Sequence, residues 1–483
     1  MRLGFVLDQT KCIGCHACTV ACKSENDVPI GVFRTWVKYV EKGVFPDTRR
    51  HFAVLRCNQC DDAPCATICP TRALYRRPDG IVDFDSNACI GCKSCMQACP
   101  YDALYIDPSS HTAAKCNLCS HRVDRGLLPA CEIVCPTQAI MSGDFDDPES
   151  PVAKIASREP VAVRKPDQGT LPKVFYVGAD ATLLDPRIDR DVSPMFTDPG
   201  DLKADVGPVR EVYDAPHATP WGWKVWAYLW TKSIAAGVLM LAALFALTTR
   251  ENPGLLPPAI ALAFITITAA LLVFDLKRPE RFWLMLVRPN FRSWLVWGGY
   301  ILGAFGAISA AWIAGELLHI EHTRAGFAIA ILLGAAAAGY TAFLFNQAEG
   351  RDFWQSPKLL WHLLLEALVC GAAVLLLARC GPERALTVTF LASLALQTAL
   401  IGAELVERQS NIDVRRASHA ITKAPSFWAV VIVAGSLAPM GLLVARVAGG
   451  PPALALAASV LALAGALEYG RLWIVAGQKP RLS

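Results

Sequence analysis

The pattern of apolar and polar positions splits the chain into two unlike bodies. After residue 224 it carries eight apolar stretches of spanning length, roughly 225–248, 257–275, 293–314, 325–345, 358–378, 385–405, 426–447 and 452–470. Trp221, Trp223, Trp226 and Trp230 crowd the start of the first, as an interfacial belt would. An all-α bundle of eight transmembrane helices is expected there. Earlier, the apolar runs are short and alternate with polar residues. ALYRRPDGIVDFD, residues 73–85, alternates about a Pro-Asp-Gly turn and predicts a β-hairpin. From about residue 142 to 220 the chain is polar and rich in proline and aspartate, with little periodicity. The reading is three parts: residues 1–145, a linker and docking segment at 146–220, and a membrane body at 221–483.

Composition sharpens this division. Over 483 residues the formal net charge is only +4, without a basic stripe, so no nucleic-acid partner is expected. Of 18 cysteines, sixteen precede residue 136. They form four quartets. The first is Cys12, Cys15, Cys18 and Cys22 in KCIGCHACTVAC; the second is Cys57, Cys60, Cys65 and Cys69 in CNQCDDAPCATICP. The third is Cys89, Cys92, Cys95 and Cys99 in CIGCKSCMQACP; the fourth is Cys116, Cys119, Cys131 and Cys135. The last three close on CPTRAL, CPYDAL and CPTQAI, an internal repeat that points to duplication.

Three chemistries could use such quartets. A disulfide framework needs an oxidising compartment. The start, MRLGFVLDQTKC, has neither a secretory apolar core nor a twin-arginine pair, so the amino-terminal part is expected in the cytoplasm, where disulfides are disfavoured. Structural zinc takes four thiolates as two CxxC pairs, usually a dozen or more residues apart. A cubane cluster takes three thiolates from one tight CxxCxxC loop and a fourth, before proline, from the partner motif. The quartets fit the last pattern, and four [4Fe–4S] clusters are expected.

On these motifs residues 1 to about 185 resemble the four-cluster iron–sulfur subunits of molybdopterin oxidoreductases, such as the dimethyl sulfoxide, polysulfide and thiosulfate reductases. The segment GTLPKVFYVG at residues 169–178 is similar to that following the fourth cysteine set in the family. The resemblance implies an α+β ferredoxin-like domain. It also implies how the sixteen thiolates divide. Cys12, Cys15 and Cys18 would share a cluster with Cys135, and Cys116, Cys119 and Cys131 another with Cys22. The inner pair would be Cys57, Cys60 and Cys65 with Cys99, and Cys89, Cys92 and Cys95 with Cys69. Lys23, in place of proline, follows Cys22.

WAYLWTKSIAAGVLML, DLKRPERFW and SWLVWGGY are similar to NrfD-like membrane subunits of the polysulfide reductase family, over roughly residues 221–480. That resemblance implies bound quinone, whether menaquinone or ubiquinone, and no haem. The histidines agree, for only His362 falls well inside a span and a b-type haem usually takes two. Loop charges give orientation: fourteen Lys and Arg on the side shared with the amino terminus, Arg408 among them, against five opposite, Arg250 among those. An inner-membrane protein with both termini in the cytoplasm is expected.

Ionisable groups within spans are costly and default to function. Lys232, Asp275, His362, Glu366 and Glu404 fall toward the cluster side, and His362 and Glu366, four apart, share a helix face suited to passing protons to or from quinone. Glu316, Glu383 and Glu468 suit either the interface or a proton path. The whole reads as the electron-transfer and anchor subunit of a respiratory oxidoreductase, with no room for a molybdopterin body. A separate molybdenum or tungsten bis-pyranopterin subunit is therefore implied by the resemblance. Sulfite oxidation is the favoured reaction of that partner, with formate or a sulfur or N-oxide substrate as alternatives. A quinone-coupled ion-translocating module is the alternative role.

Overall fold

The structure, a computed structural model, describes residues 1–43, 46–184, 209–216, 219–249, 252–406 and 411–482. Arg250 and Arg408 of the charge count lie outside the described residues, as do residues 185–208 and 217–218 of the expected linker.

The amino-terminal body is built on β1 (Leu3–Asp8), β2 (Thr35–Lys42), β3 (Arg49–Arg56), β4 (Leu74–Arg76), β5 (Val82–Phe84), β6 (Leu104–Ile106), β7 (Ala113–Lys115), β8 (Ile140–Asp144), β9 (Val161–Ala162), β10 (Val174–Val177) and β11 (Val209–Tyr213). β4 and β5 form the expected hairpin, with Leu74 opposite Phe84. β6 and β7 repeat it one duplicated unit later, Leu104 opposite Lys115. Each hairpin follows a Cys-Pro and is too short to stand alone in water, so it is held by packing against the cysteine loops.

The linker expectation is corrected where residues 146–220 are described. A helix at Pro151–Arg158 packs on the first sheet, whose order is β8-β1-β10-β9. β10 lies parallel to β1, Phe5 opposite Val174. β1 is buried throughout, as a strand covered on both faces must be. β11 joins β2 and β3 in a second sheet, where Lys38 and Glu211 form a buried ion pair at 3.1 Å. Much of the supposed tether is therefore part of the iron–sulfur body. β10 and β11 are placed by β1 and β2, far along the chain, so no local period announces them.

The membrane body has eight spans: Trp223–Thr249, Leu256–Asp275, Trp294–Leu317, Arg324–Asn346, Leu359–Leu377, Glu383–Glu404, Phe427–Val447 and Ala453–Gln478. The first span is the most enclosed and packs on the second, fourth and fifth. Gly237 and Gly371 set the closest crossing: a Cβ on Gly237 would stand 1.8 Å from the Ala367 carbonyl oxygen. Without a hydrophobic drive between helices in lipid, such small-residue contacts let backbones meet. In the seventh span Phe427–Leu437 is wound as a π-helix, then continues as an α-helix through Pro439.

The two bodies meet along the loop between the second and third spans. The Lys277 and Arg278 amides donate to the Gly91 and Ile90 carbonyls, and Asn290 Nδ2 donates to the Cys69 carbonyl at 2.8 Å. Arg351 donates to Gln97 Oε1 at 2.9 Å and to the Pro480 carbonyl at 2.8 Å. Gln97 in turn donates to Gln478. The arginine-rich loops of the sequence thus lie on the cluster side of the bundle.

Candidate functional site: four cysteine sets and a membrane cleft

The first and third cysteine loops share one backbone device. Gly14 and His16 in the first set have φ of 70° and 60°; Gly91 and Lys93 in the third have 68° and 65°. Left-handed residues alternating with ordinary ones turn successive N–H groups inward, a cradle for negatively charged sulfur. The Gly91 and Ala113 amides donate to Cys89 Sγ, each at 3.4 Å, and the Ala139 amide donates to Cys135 Sγ at 3.2 Å.

Proximity groups the thiols. Cys12 lies in the field of Cys15 and Cys135. Cys22 lies in that of Cys116, Cys119 and Cys131. Cys65 has Cys57, Cys60 and Cys99 as neighbours, and Cys92 has Cys69 and Cys89. Each grouping takes its members from two sequence motifs. Neighbouring groups also touch electrostatically, Cys18 with Cys131, Cys116 with Cys57, and Cys95 with Cys65. The result is a line of four sets from exposed Cys15 inward.

The donor set fits iron–sulfur clusters. Burial pushes the Cys18 and Cys99 thiols up to about 11 and Cys92 up to about 12, so a bare thiolate is disfavoured and a cationic core is needed to hold it ionised. Cys22, Cys116, Cys119 and Cys131 surround a cavity of about 260 Å³, and Cys69, Cys89, Cys92 and Cys95 one of about 380 Å³. Among the described residues no three Cys, His, Asp or Glu side chains close tightly enough for one metal ion. Arg56, fully buried, leaves Nε and Nη2 without a hydrogen-bond partner among the described residues while Nη1 donates to Cys131 Sγ at 3.3 Å. Unsatisfied buried donors beside thiolates suit the sulfides of a cluster.

Cys92 of the innermost set also lines a cleft of about 750 Å³ that enters the bundle between the first four spans. Its walls are mostly apolar, among them Leu272, Leu295, Leu302 and Leu344, with Asp275, Tyr228 and Tyr340 as polar groups. Apolar walls with a few polar groups suit a largely apolar ligand with polar ends. Asp275 Oδ2 accepts from Lys93 Nζ at 2.7 Å, inside the third cysteine loop.

The structure divides the other expected quinone residues. Lys232 is fully buried behind Tyr340, its Nζ 5.0 Å from the ring centre and donating to the Ala338 carbonyl at 2.9 Å and to Thr341 Oγ1. His362 Nε2 and Glu366 Oε2 stand 4.0 Å apart, but neither lines the cleft. His362 and Glu404 instead face a second pocket, of about 940 Å³, near the fifth to eighth spans. Glu383 and Glu468 hold ion pairs with Arg446 at 2.7 Å and Arg471 at 2.6 Å, and Glu316 Oε1 shares a hydrogen bond with His322 Nε2 at 2.8 Å. Lys93, Tyr228 and Tyr340 do not stand out in the sequence. The signal for Lys93 is its place in CIGCKSC; two phenols in apolar spans carry almost none.

Comparison with known families agrees with this division of the chain. A model described as "4Fe-4S dicluster domain" matches residues 49–145, and one described as "Polysulphide reductase, NrfD" matches residues 211–479. The chain is 42% identical to a tetrathionate reductase subunit of Salmonella typhimurium, over 39% of this sequence and 77% of that protein. It is 43% identical to a polysulfide reductase component of Wolinella succinogenes, over 36% and 94%. To the arsenate respiratory reductase iron-sulfur subunit ArrB of a Shewanella species it is 33% identical, over 37% and 96%.

Proposed function

We propose that this chain, which belongs to the polysulphide reductase NrfD family and carries its iron–sulfur domain in the same polypeptide, conducts electrons between a separate catalytic subunit and membrane quinone. The observation that carries this reading is the shared lining of one cleft by Cys92 and Asp275. A ligand there would touch the last member of a line of redox centres.

When bound, four [4Fe–4S] clusters would supply one-electron carriers along that line. The sets would be Cys12, Cys15, Cys18 and Cys135; Cys22, Cys116, Cys119 and Cys131; Cys57, Cys60, Cys65 and Cys99; and Cys69, Cys89, Cys92 and Cys95. The chain's own groups hold thiolates with loop amides, place Arg56 and Lys115 as buried cations between sets, and keep the cleft largely apolar. Asp275 and Tyr340 would orient the quinone head, with Lys232 behind Tyr340. His362 and Glu366 would handle its protons. This role uses no haem.

The catalytic partner would be a molybdenum or tungsten bis-pyranopterin subunit, as in reductases of the kind whose iron–sulfur subunits are relatives of this sequence. Ile13, Val20, Ile133 and Val134 are exposed near the outermost set and offer it an apolar docking face. The loop charges support a cytoplasmic cluster face. A cytoplasmic partner would take a donor found inside the cell, sulfite first, with formate or a sulfur or N-oxide substrate next.

Anaerobic purification from native membranes tests this. About sixteen irons per chain, from four four-iron clusters, with stoichiometric molybdenum or tungsten in a large companion are expected. Zinc in place of iron, or no catalytic companion, would overturn the reading.

A further inference from the structure

The second pocket is built around a buried base that the cleft does not use. His362 is 5% exposed, lines this pocket, and neither ring nitrogen has a hydrogen-bond partner among the described residues. Its other polar lining is Tyr469, whose ring centre lies 4.9 Å from that of His362, with Asp352, Gln355 and Ser356 from one loop on the cluster side, Glu404 and Ser418. Asp352 is tied there to Gln168 of the iron–sulfur body at 3.1 Å. Much of the wall is apolar, Phe353, Leu359, Ile401 and Phe427 among it, but these polar groups and the two ring nitrogens of His362 offer water several partners in one place.

From His362 a line of buried groups runs inward. Glu366 is one helical turn on, at 4.0 Å. Across the Gly237–Gly371 crossing, Lys232 lies within the field of Glu366. Lys232 in turn sits over the ring of Tyr340, which lines the cleft. All four are nine-tenths buried or more. Burying a lysine, a glutamate and an unpaired histidine in apolar spans is expensive, and such groups are retained where charge or protons must move.

We infer that the second pocket is a water-filled vestibule, and that His362, Glu366, Lys232 and Tyr340 carry protons between it and the quinone cleft. This rests on the reading of the cleft as a quinone site. Reducing one quinone consumes two electrons, delivered singly by the clusters, and two protons, delivered along this line from the cluster side; oxidising a quinol releases both by the same routes. Electrons and protons therefore enter from one face and reach the head from two directions, through Cys92 and through Tyr340.

The test uses the full chain with its clusters reduced by dithionite, freed of reductant, and mixed with 2,3-dimethyl-1,4-naphthoquinone. Cluster reoxidation is followed by visible absorption, and binding of 2-heptyl-4-hydroxyquinoline N-oxide is measured separately. Glu366→Gln is expected to slow reoxidation about a hundredfold, the scale of losing one positioned proton carrier. Iron content and inhibitor binding should stay unchanged, and azide, a small proton carrier, should restore part of the rate in Glu366→Asp. His362→Gln, where the route meets the pocket, gives the same test should Glu366→Gln not assemble. Unaltered rates in both Glu366→Gln and His362→Gln overturn the route, while loss of inhibitor binding in Asp275→Asn would still uphold the cleft. Full binding and full rate in Asp275→Asn would remove the cleft reading, and the route with it.

Discussion

The Lys93 ammonium lies 2.7 Å from the Asp275 carboxylate, joining a cysteine loop to the end of the second span. Both side chains are largely buried, at 6% and 17% exposure. The pair therefore fixes a redox loop against the cleft, and its loss is felt as a stranded charge as much as a lost contact.

Lys93→Met should for that reason destabilise the junction by about 3 kcal/mol, because Asp275 is left without its counter-ion. Thermal unfolding in detergent measures this. A double variant, Lys93→Met with Asp275→Leu, should recover most of the loss, and an unchanged melting temperature in the single variant would refute the assignment.

Arg56 tests the line of redox centres. It is buried, with Cys18, Cys116 and Cys131 around it. Removing a positive charge favours the oxidised cluster, so Arg56→Gln should lower the potential of the adjacent cluster by on the order of 100 mV. Redox titration followed by electron paramagnetic resonance gives the value. No movement of any potential would mean the arginine is structural only.

Gly237 tests the crossing that brings Lys232 to Glu366. Gly237→Leu must push the first and fifth spans apart, at a cost of about 3 kcal/mol or more. Lower thermal stability and a slower quinone step are expected together. Gly303→Leu, where nothing lies within 4 Å of an added Cβ, should cost little.

Glu211 tests the corrected linker. It pairs with buried Lys38 and accepts from Arg481 at 3.1 Å, stitching β11 to β2 and to the carboxyl end. Glu211→Gln should cost about 3 kcal/mol by stranding Lys38, seen as early unfolding of the iron–sulfur body. A flexible tether would tolerate the change.

The cysteine quartets and the eight spans were legible in the sequence because each is written locally. A CxxCxxC loop needs only neighbouring residues, and a span declares itself by some twenty apolar residues in a row. The hairpin at residues 73–85 was legible for the same reason, its turn residues lying between its strands. β10 and β11 were not, since β10, beside the two-residue β9, is placed by β1 and β11 by β2, both far away in sequence, and a short strand buried by distant neighbours has no period of its own.

The same distinction divides the membrane site. Sequence alone determined that ionisable residues stand in the spans, that sixteen thiols come in four motifs, and that Lys and Arg gather on one side. Tertiary structure decided which of them meet: Asp275 with Lys93 at the cleft, Lys232 with Tyr340 and Glu366 inside the bundle, His362 with a pocket of its own. The physical reason is that the cost of burying a charge can be read from one residue and its place in a span. The partner that offsets this cost is chosen by how helices cross, and here two glycines set that crossing.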